Sequence, residues 1–400
     1  MINTHTHLWQ SIGKGLGTDR DLWGWISSAW SPLLYNLTDD DYYNAVMLGV
    51  LEAIKSGVTT VLGYEHALNT HPTAITKIVD AFKLTGIRAL LGIGYQDTGK
   101  EMGAPDFVLR PTNVILKYLE DSFKKYHNTL DGRLKIWLAP GLVSWCTEEL
   151  LLESKRLAEK YNTGLTIHAN ESKTETEYSR RERGASEIGF LYKLGVLDKN
   201  TLVVHAVWTT DKEIEMLAER NAKVSHNPVS NMFLSSGVAP IPRMLRKGIA
   251  VGLATDGATS NNNNDFFDVL RVTPLLQKVH TLDPLSLTAE QTLEMATIIG
   301  ARAVLMENEV GSLEVGKKAD IVILNFKHHS TTPNIYPPAT IVYSASSENV
   351  ETVIIDGRII MENRKIQTFD EDKVLDNANK SIEQIISKAQ NILEERWPIM

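Results

Sequence analysis

The sequence predicts an α/β protein: a (β/α)₈ barrel carrying a small C-terminal β-module. Three observations carry that expectation. Short β-branched runs alternate with longer helical patterns along most of the chain, and eight such runs can be counted. No glycine-rich phosphate turn follows the first run, as an open doubly wound sheet would require. With 400 residues, 43% hydrophobic and 22% charged, the chain is long enough for one large core and an appendage.

The eight runs are Ile2 to Thr6, Thr59 to Tyr64, Arg88 to Gly94, Leu134 to Ala139, Gly164 to His168, Thr201 to His205, Lys223 to His226 and Ile249 to Thr255. Between them, Asp39 to Lys55, Glu148 to Lys160, Thr210 to Arg220 and Phe266 to Val279 carry apolar residues at helical spacing. A further helix is expected near Thr288 to Met306. Beyond it Ala319 to Asn325, Ala339 to Tyr343 and Val350 to Met361 read as closely spaced strands with a turn at Asp356-Gly357. The charged, amphipathic end from Asp370 to Glu395 reads as a helix on the surface or at a subunit contact. The expected division is a metal-dependent barrel over 1–310, a small β-sandwich module over 311–366 and a C-terminal helix over 367–400.

Composition excludes several classes of function. Lys and Arg total 41 against 49 Asp and Glu, a formal charge of −8, and there is no basic run of the kind nucleic acid needs. The single cysteine, Cys146, allows neither an intrachain disulfide nor a cysteine-rich deaminase signature. Any metal must therefore be held by histidines and carboxylates. No apolar stretch approaches the roughly 18 residues of a membrane span. The N-terminus, Met1-Ile2-Asn3-Thr4-His5, lacks the basic and apolar regions of a signal peptide, so the expected setting is the cytoplasm.

Chemistry enters at the strand ends. Histidines two apart in a strand project to one face, so His5 and His7 can bind one metal together, although an H-x-H pair alone is more often ordinary polar sequence. Four later strands also end in a metal-competent or proton-handling residue: His168, His205, His226 and Asp256. In a barrel, strand C-termini converge on one mouth, and chance placement of all five is improbable. Three imidazoles and one carboxylate around a divalent ion leave a position for water, whose pKa falls toward about 7 on zinc. Glu171, three residues past His168, can protonate a ring nitrogen and then a leaving group. His205 can polarise the water from the next strand, and Asp256 can take its proton while staying near the metal.

The runs Ile2-Asn3-Thr4-His5-Thr6-His7, His168-Ala169-Asn170-Glu171, Ser225-His226-Asn227-Pro228-Val229-Ser230-Asn231 and Thr255-Asp256-Gly257-Ala258 resemble those of the amidohydrolase superfamily. Within it they resemble the branch of triazine hydrolases, methylthioadenosine/S-adenosylhomocysteine deaminases and guanine-type deaminases. The likeness runs from residue 2 to about residue 365 and includes Gly311 to Asp320, similar to the start of the family's C-terminal sandwich strands. It implies that His5, His7, His168 and Asp256 hold one divalent metal, usually zinc and in some relatives iron. It also implies that Glu171 is the proton shuttle and that His205 orients the water. Binuclear relatives use a carboxylated lysine at the end of the fourth strand; Lys135 lies early in that strand and reads as structural.

Two departures stand out. Relatives normally carry a longer segment before the H-x-H motif, forming part of the sandwich. Either this chain's start lies upstream of Met1, or its small domain is built from C-terminal strands alone, with unpaired edges. Adenosine-type deaminases place a ribose-binding glutamate shortly before a Leu-Thr pair, where this chain, in Pro32 to Thr38, offers Leu34 or a neighbour, which argues against a nucleoside substrate.

The leading reading is hydrolytic deamination of an amino-substituted heterocycle of triazine, pyrimidine or purine type by a metal-bound hydroxide. Trp9, Trp23, Trp25, Trp30 and Tyr95 are candidates for a flat pocket, with Gln10, Tyr64, Glu65, His66, His226 and Asn231 as further substrate-binding candidates near strand ends. The alternatives are hydrolytic dechlorination of a triazine and a catalytically silent barrel serving in an assembly. The expected partners are a small heterocyclic substrate and further copies of the chain in a dimer or higher homo-oligomer, with neither nucleic acid nor membrane.

Overall fold

The computed structural model describes residues 1–389. Its main sheet contains β1 (Ile2–His7), β2 (Thr60–Glu65), β3 (Arg88–Tyr95), β4 (Leu134–Pro140), β5 (Leu165–Ala169), β6 (Thr201–His205), β7 (Lys223–His226), β8 (Val251–Leu253) and β9 (Asp256–Gly257). All pairings are parallel, in the order β8-β7-β6-β5-β4-β3-β2-β1-β9. β8 and β9 are two halves of one chain pass; the first pairs with β7, and the second with β1 through Thr6 opposite Asp256 and His7 opposite Gly257. Eight passes thus meet edge to edge as a (β/α)₈ barrel. Nearly every strand residue is buried, as expected where helices cover one face of a sheet and side chains fill the other.

The two ends of the barrel are chemically opposite. At the N-terminal end Ile2, Leu62, Leu90, Trp137 and Leu202 form an apolar plug, closed from below by Ala301, Val304, Met306 and Val310. Trp137 fits only because residue 164 is glycine: a Cβ there would lie 2.2 Å from its ring. At the C-terminal end the inward residues are polar. The parity switch between them comes from a bulge in β1, where Asn3 pairs with Val61 but Thr6 with Gly63. That gives β1 one extra residue, and it turns His5 and His7 to the side of the sheet that Ile2 faces lower down.

The helices Asp39–Lys55, Glu148–Tyr161, Asp211–Glu219 and Phe266–Thr281 fall where periodicity places them. Thr38 and Thr210 close capping boxes with Asp41 and Glu213, satisfying first-turn N–H groups. Three expectations are corrected. The helix near Thr288 to Met306 is two, Ala289–Met295 and Ile298–Ala303, broken where the Ala296 carbonyl accepts from Ile2 N (2.9 Å). The last barrel strand is interrupted at Ala254-Thr255, because the Asn3 side chain takes over both bonds to Thr255 (Oγ1 2.8 Å, N 3.2 Å). Ala339 to Tyr343 is helical, not a strand: Pro337 and Pro338 pre-set the first turn, and Thr340–Ser344 continues as a π-helix that buries Val342.

The C-terminal sheet is antiparallel, β10 (Ile321–Leu324), β11 (Val350–Ile355), β12 (Arg358–Glu362) and β13 (Lys365–Ile366), with the Asp356-Gly357 turn between β11 and β12. It is tied to the barrel by Arg88, which makes a bidentate pair with Asp320 (2.8 Å each). The helix Glu371–Lys388 packs against Asp39–Lys55; the stretch of the predicted helix past residue 389 lies outside the described residues. No helix among the described residues is long and apolar enough to cross a membrane.

Candidate active site

The mouth of the barrel brings the strand-end residues into one buried cluster. His5 Nε2 lies 3.1 Å from His7 Nε2, and each lies 3.4 Å from Asp256 Oδ1. The ligand atoms of His5, His7 and His168 all fall within 4.8 Å of one another. Two donors each about 2.1 Å from one ion and roughly 90–110° apart would be about 3.0–3.4 Å from each other. The separations among His5, His7 and Asp256 therefore fit a single coordination sphere, and His168 stands beside them. The chemistry of the donors fits as well: burial and the neighbouring His5 hold His7 near a pKa of about 3, and burial drives His168 well down, so both imidazoles keep a free lone pair at neutral pH. Burial works against ionisation of Asp256, but the hydrogen bond from His5 and the surrounding imidazoles outweigh it and hold the carboxyl well below its usual range. His7 Nδ1 donates to the Tyr64 carbonyl (3.0 Å), which fixes the ring with Nε2 toward the cluster.

Glu171 and His205 adjoin this cluster, 3.4 Å apart between Oε2 and Nε2. His205 Nε2 is 3.9 Å from Asp256 Oδ2. Its other nitrogen, Nδ1, donates to Asn231 Oδ1 (2.9 Å), so Nε2 is left as an acceptor toward the cavity. Burial, reinforced by Glu175, Asp256 and Glu187, raises the Glu171 carboxyl well above the usual carboxylate range. Glu171 is positioned through Asn170. The Asn170 N–H donates to Glu187 Oε2 (2.6 Å), its Nδ2 to the Trp208 carbonyl (3.1 Å), and its Oδ1 accepts from Ile188 N (3.2 Å).

Asn170, His205 and Asp256 all have left-handed backbone (φ +54°, +74° and +63°) at the ends of their strands. For residues other than glycine this costs about 1–3 kcal/mol each, sustained here by the bonds just described.

Of the remaining predicted residues, Tyr64 and His66 line the cavity with His7, His168, Glu171, His205 and Asp256. Trp25 and Trp30 do so as well. Trp9 is fully buried and packs edge-on to Trp30 and His66. Gln10 accepts from Thr259 Oγ1 (2.6 Å), and Glu65 accepts from Leu8 N (3.1 Å) and Trp9 N (3.2 Å); both brace the turn after β1. Asn231 stands behind His205, and His226 is fully buried with neither ring nitrogen hydrogen-bonded. Lys135 pairs with Glu309 at the opposite end of the barrel. Sequence reasoning missed Ile26, Leu142, Trp145, Leu234 and Ser260 in the cavity wall. They come from loops and short helices without periodicity; only the Pro140-Gly141 step after β4 hints at a loop reaching the mouth.

The model of the amidohydrolase family matches residues 1–360. The chain is 37% identical over 385 residues to a 5'-deoxyadenosine deaminase of Methanobrevibacter smithii, covering 96% of this chain and 85% of that protein. It is 38% identical over 388 residues to a 5-methylthioadenosine/S-adenosylhomocysteine deaminase of Syntrophomonas wolfei, covering 97% and 86%. A zinc-bound crystal structure of an adenosine deaminase from Xanthomonas campestris superposes with a TM-score of 0.88 at 25% identity, over 97% of this chain and 85% of that one.

Proposed function

This chain belongs to the amidohydrolase family, and from that premise we propose that it is a hydrolytic deaminase of an amino-substituted heterocycle of the adenine type. It would work with one zinc ion held by His5, His7, His168 and Asp256. The observation that carries the reading is Glu171, a buried carboxyl 3.4 Å from His205 Nε2 that faces the same cavity as the metal-competent cluster. The names of the two deaminase relatives support the adenine-type ring.

Zinc, when bound, supplies Lewis-acid activation of a water. The reaction forms a bond from the water oxygen to the ring carbon bearing the amino group and breaks that carbon's bond to nitrogen. Glu171 gives its proton to the adjacent ring nitrogen, making the carbon electrophilic. Asp256, already ionised, accepts one water proton and passes it to the amino group, which leaves as ammonia. The second water proton returns to Glu171, so the carboxyl ends as it began. His205 accepts a hydrogen bond from the attacking water at Nε2, in the orientation that Asn231 fixes.

The test is ammonia release from aminopurines by zinc-loaded protein, with chloride release from a chlorotriazine measured in parallel. Ammonia supports the proposal. Chloride without ammonia turns it to dechlorination, and neither product turns it to a silent barrel. We also propose that the protein is a cytoplasmic homo-oligomer, supported by the exposed Leu275, Val279, Leu282 and Leu285 along and after the helix Phe266–Thr281; sedimentation reading a monomer at micromolar concentration would end that part.

A further inference from the structure

Away from the metal-competent and proton-handling groups, the cavity wall is mostly carbon, its polar members being Tyr64, whose buried hydroxyl has no partner, His66 and Ser260. Trp25, Ile26, Trp30, Leu142, Trp145 and Leu234 line the cavity, with Trp30 packed against Trp145. The polar edges of two of these indoles are turned away. Trp25 Nε1 donates to Thr259 O (3.0 Å) and Oγ1 (3.2 Å), and Trp145 Nε1 donates to Met102 O (3.0 Å). Ser260 spends its hydroxyl proton on the Gly257 carbonyl (3.1 Å). Among the described residues lining the cavity there is no lysine or arginine, and no carboxylate besides Glu171 and Asp256. The aromatic rings meet edge to face, Trp30 to Trp145 at 62° and Trp30 to His66 at 89°, so the wall offers both π-faces and ring edges.

Resting on the deaminase reading above, we infer that the substituent carried by the substrate's ring is apolar, an alkyl or cycloalkyl group, and that the wall discriminates against vicinal hydroxyls and charged tails. A diol placed against this wall gives up water and finds no carboxylate to receive its protons. A carboxylate or phosphate tail finds no cation. The alkyl group loses nothing and gains contact with the indole faces. The two relatives are named for nucleosides, so the inference sets this chain's preference apart from theirs.

The experiment compares 9-cyclopentyladenine with adenosine, two compounds that share the reacting ring and a five-membered substituent. Ammonia release is measured with zinc-loaded protein, and binding with the zinc-loaded Glu171→Gln variant, followed by quenching of the tryptophans that line the cavity. The expected result is a kcat/KM and an affinity for the cyclopentyl compound roughly 10²-fold above those for adenosine. Equal or better binding and turnover of adenosine overturns the inference while leaving the deaminase reading intact. Tighter binding of the cyclopentyl compound without ammonia from either upholds the apolar preference and overturns the deaminase reading. Binding of neither overturns both. Ile26→Asn, which adds a hydrogen-bonding group to the wall, should narrow the preference for the cyclopentyl compound.

Discussion

Two carboxyls near the mouth, Glu171 and Glu65, are both raised by burial, yet they serve different ends. Glu171 faces the cavity and Glu65 faces backbone. Glu171→Gln should leave zinc content and substrate binding unchanged and lower turnover by roughly 10²–10⁴-fold, because it removes the proton carrier and keeps the shape. Metal analysis alongside steady-state rates checks this; a variant running at the parent rate would show that the carboxyl carries no proton. Glu65 is lifted from 4.5 to about 8 by burial, against the two N–H bonds it accepts. Below pH 4.5 the folded and unfolded chains both hold that proton. Between pH 4.5 and about 8 the unfolded chain releases it and the folded chain does not, so stability falls across this window and levels off above it. Glu65→Gln has no proton to lose. Its urea midpoint should therefore fall less than the parent's between pH 5 and pH 8, by the equivalent of a few kcal/mol at most. Parallel slopes in the two proteins would show that Glu65 ionises normally.

At the scale of elements, the site depends on irregularities in otherwise regular strands. The β1 bulge turns His5 and His7 inward, the interruption before Asp256 re-aims its carboxyl, and left-handed residues end β5 at Asn170 and β6 at His205. At Asn170 and Thr255 the backbone N–H that leaves the ladder is taken up by a side chain, Glu187 and Asn3 respectively. At the opposite end the strands are regular and close-packed, and Gly164 abuts the Trp137 ring. Gly164→Ala should cost about 1–3 kcal/mol through overpacking, with little effect on kcat because the contact lies at the far end of the barrel. Trp137→Leu in the same chain should recover part of the loss. Thermal melts of the two variants decide it, and an alanine variant as stable as the parent would mean that the plug yields easily.

For the whole molecule, the metal-competent cluster joins β1, β5 and the β8–β9 pass, which are far apart in sequence and are brought to one mouth only when β1 and the β8–β9 pass close the barrel. Zinc binding there should stabilise the native state against the unfolded chain, which has no such site. Chelation should therefore abolish activity and lower the melting temperature by several degrees, both restored by adding back about one equivalent of zinc. Full restoration requiring two tightly bound ions would contradict the single-ion proposal.

Much of this molecule could be read in order along the chain. The β-branched runs announce the barrel, because parallel strands buried on both faces have few other compositions available. The residues at their C-terminal ends announce the chemistry, because barrel topology carries all of those ends to one mouth. His5, His7, His168, Glu171, His205 and Asp256 were legible for that reason, each being the last residue of a recognisable strand or close to it. The cavity wall was not legible. Ile26, Leu142, Trp145 and Leu234 come from loops and short helices, whose apolar residues look in sequence like any other packing residues. Nor was the bracket around Asn170, built from Glu187, Ile188 and Trp208, which meet it only through the fold. Local sequence determines which backbone pattern forms and which reactive groups it ends on. The surface a substrate meets is decided by which distant segments the closed barrel brings together, and that surface exists only in the tertiary structure.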